Sequence, residues 1–307
     1  MNVFMAAVYT NGYMPGQQRY EKLSEHEKNI TRNLPHILES YHYVGRQKYV
    51  DEMRADGAKV FLDSGAFSAH SLGAHISLPE YCDYIKRNID ILRVEDGDVM
   101  ASVLDGIGDP LQTYRNQLEM EARGARPLPC FHYGEDFRYL EYYMKHYNYI
   151  TIGGMVGRST DQLKIWLDRM WDKYICDGSG RPKVKLHAFG ITSVSIMERY
   201  PWYSCDSSSW IQAAAFGSIM MPKWQTPMRV SDKSPDRHHE GKHISTLTPL
   251  EQDAVYKYLE DNGFTYERLS TIYESRAAFN LWAYGVISAT INASHDGIFR
   301  DRVMELF

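Results

Sequence analysis

Residues 184–206 read VKLHAFGITSVSIMERYPWYSCD, and this stretch establishes the fold class. Val184–Phe189 and Trp202–Cys205 are short apolar runs of the kind that forms buried strands, and Ser193–Arg199 between them is a helical candidate. A strand, a helix and a second strand in such close succession predict a right-handed βαβ unit. The sequence therefore predicts a parallel sheet.

The same alternation of apolar runs and amphipathic stretches extends along most of the chain. The runs are rich in Val, Ile, Tyr and Phe, and they are Val3–Tyr9, Ile37–Val44, Lys59–Leu62, Asp98–Leu104, Pro127–His132, Tyr149–Ile152, Val184–Phe189, Trp202–Cys205 and Gly217–Met221. Further helices are predicted over Leu78–Leu92, Asp109–Arg123, Glu135–His146 and Thr160–Cys176. This pattern favours an α/β fold of the (β/α)8 TIM-barrel type, with Gly217–Met221 outside the barrel. A doubly wound open sheet is the alternative.

The sequence changes character after the last apolar run. Lys223–Thr246 is polar and irregular, and the chain is then helical to its end. Thr248-Pro249-Leu250-Glu251 is a capping box with proline in the first turn, and Gly263 is placed to end that helix. We therefore expect a barrel domain over residues 1–246 and a C-terminal helical segment over residues 247–307, packed on the barrel.

Composition excludes several classes of protein. The chain has 307 residues, 34 Lys and Arg, and 39 Asp and Glu, which gives a net charge of −5. With 44% hydrophobic and 24% charged residues it is an ordinary globular chain, and mild acidity gives no general attraction to nucleic acid. Four widely separated cysteines argue against a disulfide framework and a cysteine-rich zinc site.

No targeting or membrane segment is expected. The N-terminal residues lack the basic and apolar regions of a signal peptide. Ser207–Pro222 is uncharged but too short to span a bilayer, and in Ala277–Ser294 the apolar residues recur at helical spacing, as in an amphipathic core helix. The sequence thus predicts a soluble, cytoplasmic protein.

Polar residues and glycines follow the predicted strands repeatedly. They are Asp63, Asp105, His132, Gly153-Gly154, Gly190 and Asp206. In a parallel barrel these positions share one open face, where catalytic groups lie. Each aspartate could instead cap the next helix. Three carboxylates without a glycine-rich phosphate loop suit nucleophilic and acid/base chemistry at a sugar carbon.

Other candidate residues have two interpretations. Gly153-Gly154 is either a tight turn or a backbone N–H that approaches a ligand closely. Phe67 and Phe189 are core residues or stacking platforms, and the residues alone favour the core. His238, His239 and His243 resemble a metal cluster, but without a cysteine or a spaced carboxylate pair we expect a solvated loop.

Six motifs in this order resemble the tRNA-guanine transglycosylase family. They are DSGAF (63–67), SVLD (102–105), PCFHYG (129–134), IGGMVG (152–157), HAFG (187–190) and CDSSS (205–209). The resemblance extends over Val3–Met221, and it is greatest to the virus-encoded branch that inserts 7-deazaguanines into DNA. It implies a TIM barrel and a base-exchanging activity.

The resemblance also implies roles for individual residues. Asp206 matches the nucleophile and Asp63 the general acid/base. The base-binding positions are Asp105, His132 (where the family usually has glutamine), Gly153, Gly154, Met155, Phe67 and Phe189. In this assignment the two phenylalanines sandwich the base, and the Gly154 and Met155 amides meet its carbonyl.

Some family features are missing. The family's zinc site takes three cysteines and a histidine after the nucleophile, whereas no cysteine follows Cys205. We therefore expect no metal and no cofactor. Arg158 stands in place of a family glutamate and favours an incoming base with a neutral 7-substituent, such as a 7-cyano group, over an aminomethyl base. An RNA-binding module is not expected, and this favours DNA over tRNA.

The sequence therefore predicts a DNA-guanine transglycosylase that takes a flipped guanine from DNA and a free 7-deazaguanine base. Phosphate contacts are expected from Lys183, Lys185, Lys223 and Arg229. The alternatives are a tRNA-directed transglycosylase, a metal-dependent barrel hydrolase using His132, His187 and Asp206, and a non-catalytic nucleic-acid-binding barrel.

Overall fold

A computed structural model describes residues 1–191 and 193–294. Its strands are β1 (Asn2–Ala6), β2 (Ile37–Ser40), β3 (Val60–Asp63), β4 (Val94–Glu95), β5 (Asp98–Val99), β6 (Cys130–His132), β7 (Tyr149–Gly153), β8 (Lys185–Ala188), β9 (Ser204–Ser207), β10 (Ser218–Met221) and β11 (Thr226–Arg229).

Helices lie between most of the strands. They are α1 (Glu25–Arg32), α2 (Tyr41–Val44), α3 (Gln47–Ala55), α4 (Ala66–Ser71), α5 (Leu78–Arg87), α6 (Pro110–Ala122), α7 (Phe137–His146), α8 (Thr160–Met170), α9 (Val194–Arg199), α10 (Ser209–Ala215), α11 (Pro249–Asp261), α12 (Tyr266–Thr271) and α13 (Tyr273–Ser294). Short 3₁₀ turns cover Tyr20–Lys22, Ile89–Ile91 and Ile244–Thr246, and a π-helical turn covers Trp171–Ile175.

Seven of the strands form one parallel sheet in the order β3-β2-β1-β9-β8-β7-β6. Asn2–Met5 of β1 pairs with Ser204–Ser207 of β9, so the first and last strands of the sheet are neighbours at its centre. The predicted parallel α/β fold is confirmed at this level. Residues 41–44 are an exception, because they form helix α2 rather than the end of a strand.

The segment predicted as a strand over Asp98–Leu104 has a different structure. Asp98–Val99 is a short strand that pairs antiparallel with Val94–Glu95. The next residues form single parallel bridges, Ala101 with Leu62 of β3 and Ser102 with Leu128, which lies two residues before β6. The backbone that follows contacts helix α6, where the Asn116 amide donates to the Leu104 carbonyl at 2.6 Å. The sheet therefore has seven strands instead of the predicted eight.

β10 and β11 form a separate antiparallel hairpin. This confirms that Gly217–Met221 does not belong to the parallel sheet. The capping box at Thr248 and Glu251 is also confirmed: the Glu251 N–H donates to the Thr248 hydroxyl, and the Thr248 N–H to the Glu251 carboxylate. Gly263 follows the helix with φ +80°.

The chain divides into two compact units. The first consists of Met1–Thr10, His36–Ser207 and the described residues from Ile291 onward, and the second of Asn11–Pro35 and Ser208–Thr290. The domain boundary at residue 246 stays a prediction. In the first unit Phe4, Phe61 and Tyr149 belong to an apolar cluster inside the sheet.

A partly buried ion pair joins separate segments of the second unit. Arg268 donates to Glu27 at 2.7 Å and the Ser275 hydroxyl donates to the same carboxylate at 2.5 Å. This contact ties α1 to α12 and α13. Within the described residues no helix is sufficiently long and apolar to cross a bilayer.

Candidate active site

The predicted catalytic residues lie at the carboxyl ends of the parallel strands. Asp63 is the last residue of β3 and His132 the last of β6, and Asp206 lies one residue before the end of β9. Asp105 follows the segment that bridges β3 and residue 128. Because parallel strands all point the same way, these side chains gather at one edge of the sheet.

A tight turn holds Asp63 in place. Gly65 has φ +77°, and its N–H turns back to donate to the Asp63 carboxylate at 3.0 Å. The Ser102 hydroxyl lies 3.4 Å from the other carboxylate oxygen and accepts the Ser64 N–H at 2.8 Å. The DSGAF motif is thus a turn that orients a carboxyl group.

The environment of Asp63 favours its protonated form. Burial raises the pKa of Asp63 to about 7, and the negative charges of Asp105 and Asp206 act in the same direction. Asp105 and Asp206 therefore each lie close enough to Asp63 to influence its charge. A group that titrates near neutral pH can both give and accept a proton.

Asp206 is held by groups on β8 and just beyond it. The Gly190 N–H donates to one carboxylate oxygen, Oδ1, at 2.9 Å, and His187 Nε2 lies 3.4 Å from the same oxygen. The Asp206 side chain is 11% exposed, whereas that of His187 is fully buried. Among the contacts of the described residues, no hydrogen bond to the second carboxylate oxygen, Oδ2, is found.

His132 connects a second group of polar residues. Its Nε2 lies 3.2 Å from an Asp105 carboxylate oxygen, and its Nδ1 lies 2.7 Å from Glu135 Oε1. Burial disfavours the charged imidazole, but the neighbouring Cys130 and Asp105 outweigh it and raise the pKa of His132 well above its usual range. The Asp105 carboxylate at Nε2 thus favours the charged form of the imidazole.

The same residues could hold a metal ion. Asp105, Cys130 and His132 each offer one ligand atom, and the three atoms lie within 4.8 Å of one another. Three protein ligands and a water are the pattern of catalytic zinc, and Glu135 on the other ring nitrogen would orient the imidazole. Burial raises the pKa of the Cys130 thiol to about 11, which opposes the thiolate that zinc requires. The expected absence of a metal stays a prediction.

The double glycine packs against His132. A Cβ on Gly153 would lie 2.9 Å from His132 Cδ2, and one on Gly154 would lie 3.1 Å from the Tyr133 backbone nitrogen. Gly154 also has φ +70°. Strand β7 therefore approaches β6 closely at these two glycines. Gly154 is exposed, so its backbone is accessible to a ligand.

The two predicted stacking residues differ in their surroundings. Phe67 on α4 is 62% exposed. Phe189 is half-buried, with its ring 4.7 Å from that of His187 and 5.8 Å from that of Phe61. Met155 is buried. The exposed ring of Phe67 is accessible for stacking on a ligand. The ring of Phe189 also packs against apolar residues inside the sheet.

A cavity adjoins Asp105. Its volume is about 520 Å³, and its walls include Ala66, His70, Ile76, Asp105 and Asn116. The cavity is large enough for a nucleobase with part of its sugar. It lies between α4 and α6, the helices that follow Asp63 and Asp105.

The predicted phosphate-binding cations of the first unit lie at the other end of the sheet from the carboxylates. Lys185 begins β8, at the opposite end of the strand from Phe189, and pairs with Glu95 and Asp96. Lys183 donates to the Tyr174 carbonyl in the same region. Lys223 and Arg229 belong to the second unit, where Arg229 pairs with Asp236. Their contact with phosphate stays a prediction.

In the histidine-rich loop of the second unit, His239 and His243 contact other residues of the same loop. His243 is buried and contacts the Ser231 carbonyl through Nε2, and His239 Nδ1 lies 2.7 Å from Asp236. Within the described residues these histidines are not part of the group that could hold a metal ion.

Sequence reasoning missed Glu135 and the residues behind Asp206. Glu135 follows His132 by three residues in FHYGED, a spacing that could have drawn attention to it. Tyr149 and Ser204 gave no local signal, because their relation to His187 depends on the register of three strands.

No protein-family model matches the chain, and comparison with curated protein sequences finds no match.

Proposed function

We propose that this protein is a DNA-guanine transglycosylase, which replaces a guanine of DNA with a free 7-deazaguanine base. The observation that carries the proposal is the grouping of Asp63, Asp105 and Asp206 at one edge of the sheet, with Asp63 titrating near pH 7. The six motifs that resemble tRNA-guanine transglycosylases supply these same residues.

The reaction proceeds by two displacements. Asp206 attacks the sugar C1′ and the bond from C1′ to guanine breaks, while Asp63 gives its proton to the departing base. The incoming 7-deazaguanine then gives a proton to Asp63, and its nitrogen attacks C1′ as the bond from Asp206 breaks. Two inversions leave the new base in the original orientation.

The barrel itself belongs to this proposal. Strand β1 is flanked by β2 and by β9, the last strand of the sheet, and the remaining order follows the chain around a ring. In a doubly wound sheet, the parallel strand that follows β3 in the chain would instead lie beside β1. In the proposed barrel, residues 100–103 stand in the place of an eighth strand, because isolated bridges join them to Leu62 of β3 and to Leu128, two residues before β6.

The base occupies the space around Asp105 and His132. Phe67 and Phe189 stack on its faces, Asp105 reads its N–H edge, and the backbone at Gly153, Gly154 and Met155 meets its carbonyl. Arg158, whose guanidinium lies 4.9 Å from the Tyr133 ring centre, favours a base with a neutral 7-substituent over one that carries an ammonium.

The experiment is base exchange with labelled guanine or 7-deazaguanine, scored on DNA and on tRNA. DNA should accept the 7-cyano base, and tRNA should not exchange. Asp206→Asn should lower exchange by several orders of magnitude and abolish the covalent protein–DNA adduct on denaturing gels. Asp63→Asn should lower exchange about 10²–10⁴-fold but leave the adduct detectable.

The exposed Asp253→Asn variant is the matched control and should exchange normally. Exchange into tRNA alone would reassign the substrate to tRNA. An adduct in Asp206→Asn would show that the nucleophile is another carboxylate.

A metal-dependent barrel hydrolase is the second candidate, and the grouping of Asp105, Cys130 and His132 favours it. It differs from the hydrolase expected from sequence, because His187 and Asp206 pair with each other and His132 pairs with Asp105. Metal analysis of the purified protein separates the two functions. One equivalent of zinc that is lost in Cys130→Ser would favour the hydrolase.

A further inference from the structure

A chain of three buried polar side chains lies behind Asp206. Tyr149 Oη is 2.5 Å from Ser204 Oγ, and Ser204 Oγ is 2.6 Å from His187 Nδ1. His187 Nε2 is buried without a hydrogen-bond partner in the structure, and the nearest charged atom is Asp206 Oδ1 at 3.4 Å. His187 and Ser204 are 0% exposed and Tyr149 is 2% exposed.

The register of the sheet brings these residues together. His187 of β8 is paired directly with Ser204 of β9, and Thr151 of β7 is paired with His187. Because side chains alternate along a strand, Ser204 and Asp206 point to the same face, and Tyr149 points to the same face as Thr151. The chain is therefore a consequence of strand pairing and not of a local turn.

Charge fixes the direction of the hydrogen bonds. Burial lowers the pKa of His187, so the ring is neutral and carries one proton. A ring lone pair facing the Asp206 carboxylate would be repelled, whereas an N–H facing it is attracted. With the proton on Nε2, Nδ1 accepts from the Ser204 hydroxyl, and Ser204 accepts from the Tyr149 hydroxyl. In this arrangement each hydroxyl donates to the next residue of the chain, and the His187 N–H at the end of the chain faces Asp206.

We propose that His187 is a positioning residue for the nucleophile, held as its Nε2–H tautomer by Ser204 and Tyr149. With Gly190 N–H as the second donor, it fixes Asp206 Oδ1 and leaves Oδ2 to attack the sugar carbon. This inference rests on the proposed transglycosylase function for its catalytic meaning, but the tautomer can be tested without any activity.

A serine nucleophile is a different interpretation of Ser204, His187 and Asp206. Ser204 is fully buried and its oxygen already contacts Tyr149 and His187. A substrate carbonyl has no access to it. The serine therefore supports the histidine and does not react.

The first test is nitrogen NMR of histidine-labelled wild-type protein at pH 7. His187 should show a proton on Nε2 and none on Nδ1. Tyr149→Phe removes the outer donor without changing the ring's shape, and should weaken but not reverse this preference. A proton on Nδ1 would overturn the proposal, whether or not the protein exchanges bases.

The second test compares His187→Gln, which keeps an N–H near the Nε2 position, with His187→Leu, which removes it. Adduct formation should fall roughly 10- to 100-fold in His187→Leu, the effect of one hydrogen bond to a charged group. His187→Gln should restore most of the rate, and KM should change little in either variant.

The two failures can be distinguished. If wild-type protein forms no adduct and exchanges no base, the proposed function fails, while the NMR result still decides the tautomer. If wild-type protein is active and both folded variants lose the same rate, a donor at this position is unimportant and the inference fails.

Discussion

The carboxyl group of Asp63 is ionised in an unfolded chain at neutral pH, but in the folded protein it titrates near pH 7. Burial contributes most to this change, and the charges of Asp105 and Asp206 add to it. Asp63 and Asp206 sit at strand ends and Asp105 follows the bridging residues Ala101 and Ser102, so the fold brings like charges together. Such an arrangement costs stability.

This cost predicts a pH-dependent effect of Asp63→Asn on stability. Because the pKa of Asp63 is raised in the folded state, Asp63 does not destabilise the protein below about pH 4. Above that pH, ionisation of Asp63 lowers the free energy of unfolding, and this loss grows until the pH passes about 7. The amide of the substituted side chain carries no charge and avoids this cost. Relative to wild type, the variant should gain about 2–4 kcal/mol in the free energy of unfolding between pH 4 and pH 8.

Urea unfolding at several pH values measures this difference. Asp253→Asn, on an exposed helical face, should show no such trend. If the free energies of unfolding of wild type and Asp63→Asn differ by the same amount at every pH, then Asp63 is ionised throughout this pH range.

Individual residues were predictable where a polar side chain directly follows an apolar run. Asp63, His132 and Asp206 all stand at such boundaries, and the structure places them at strand ends. The pairing of His132 with Asp105 and Glu135 was not predictable, because it depends on how two loops approach each other. The raised pKa of His132 depends on the same approach.

The turn between β3 and α4 depends on one glycine. A Cβ on Gly65 would lie 2.4 Å from Ser40 Oγ and 2.5 Å from His42 Cβ, and the residue has φ +77°. Ser40 and His42 belong to the end of β2 and the start of α2. The turn therefore has no space for a side chain.

We expect Gly65→Ala to lower the free energy of unfolding by about 3 kcal/mol or more, through the clash and the left-handed backbone together. Gly73 provides the matched control, since it has φ +65° and nothing within 4 Å of the position of its Cβ. Gly73→Ala should cost only about 1 kcal/mol. Equal losses for the two variants in urea unfolding would show that the contact with Ser40 and His42 is unimportant.

Elements were predictable where periodicity was long or capping was clear. The helix at Thr248 begins with its capping box, as expected. The prediction for Asp98–Leu104 was wrong because one apolar run contains two structures. Asp96 and Gly97 have φ +52° and +87° and close a two-residue hairpin, which separates Asp98–Val99 from the bridging residues. The Asp-Gly pair was the available signal.

For the whole molecule, the alternation of strands and helices predicted a parallel sheet. It did not predict how the chain divides into two compact units. Two distant segments, Asn11–Pro35 and Ser208–Thr290, form the second unit. Arg268 and Glu27, 241 positions apart, are in contact within it. No local pattern marks Asn11–Pro35 as a partner of the C-terminal helices, because the matching surface is formed by residues far along the chain.

The pairing of β1 with β9 has a consequence during synthesis on the ribosome. Asn2–Met5 is synthesised about 200 residues before its neighbour Ser204–Ser207. At 5–20 residues per second the delay is roughly 10–40 s, during which β1 pairs on one side only. We expect stalled nascent chains that end before β9 to be cut readily by protease in their first strands, and longer chains that expose β9 to be resistant. Resistance in the shorter chains would mean that the first strands fold without their central partner, and that the nascent protein needs no chaperone to shield them.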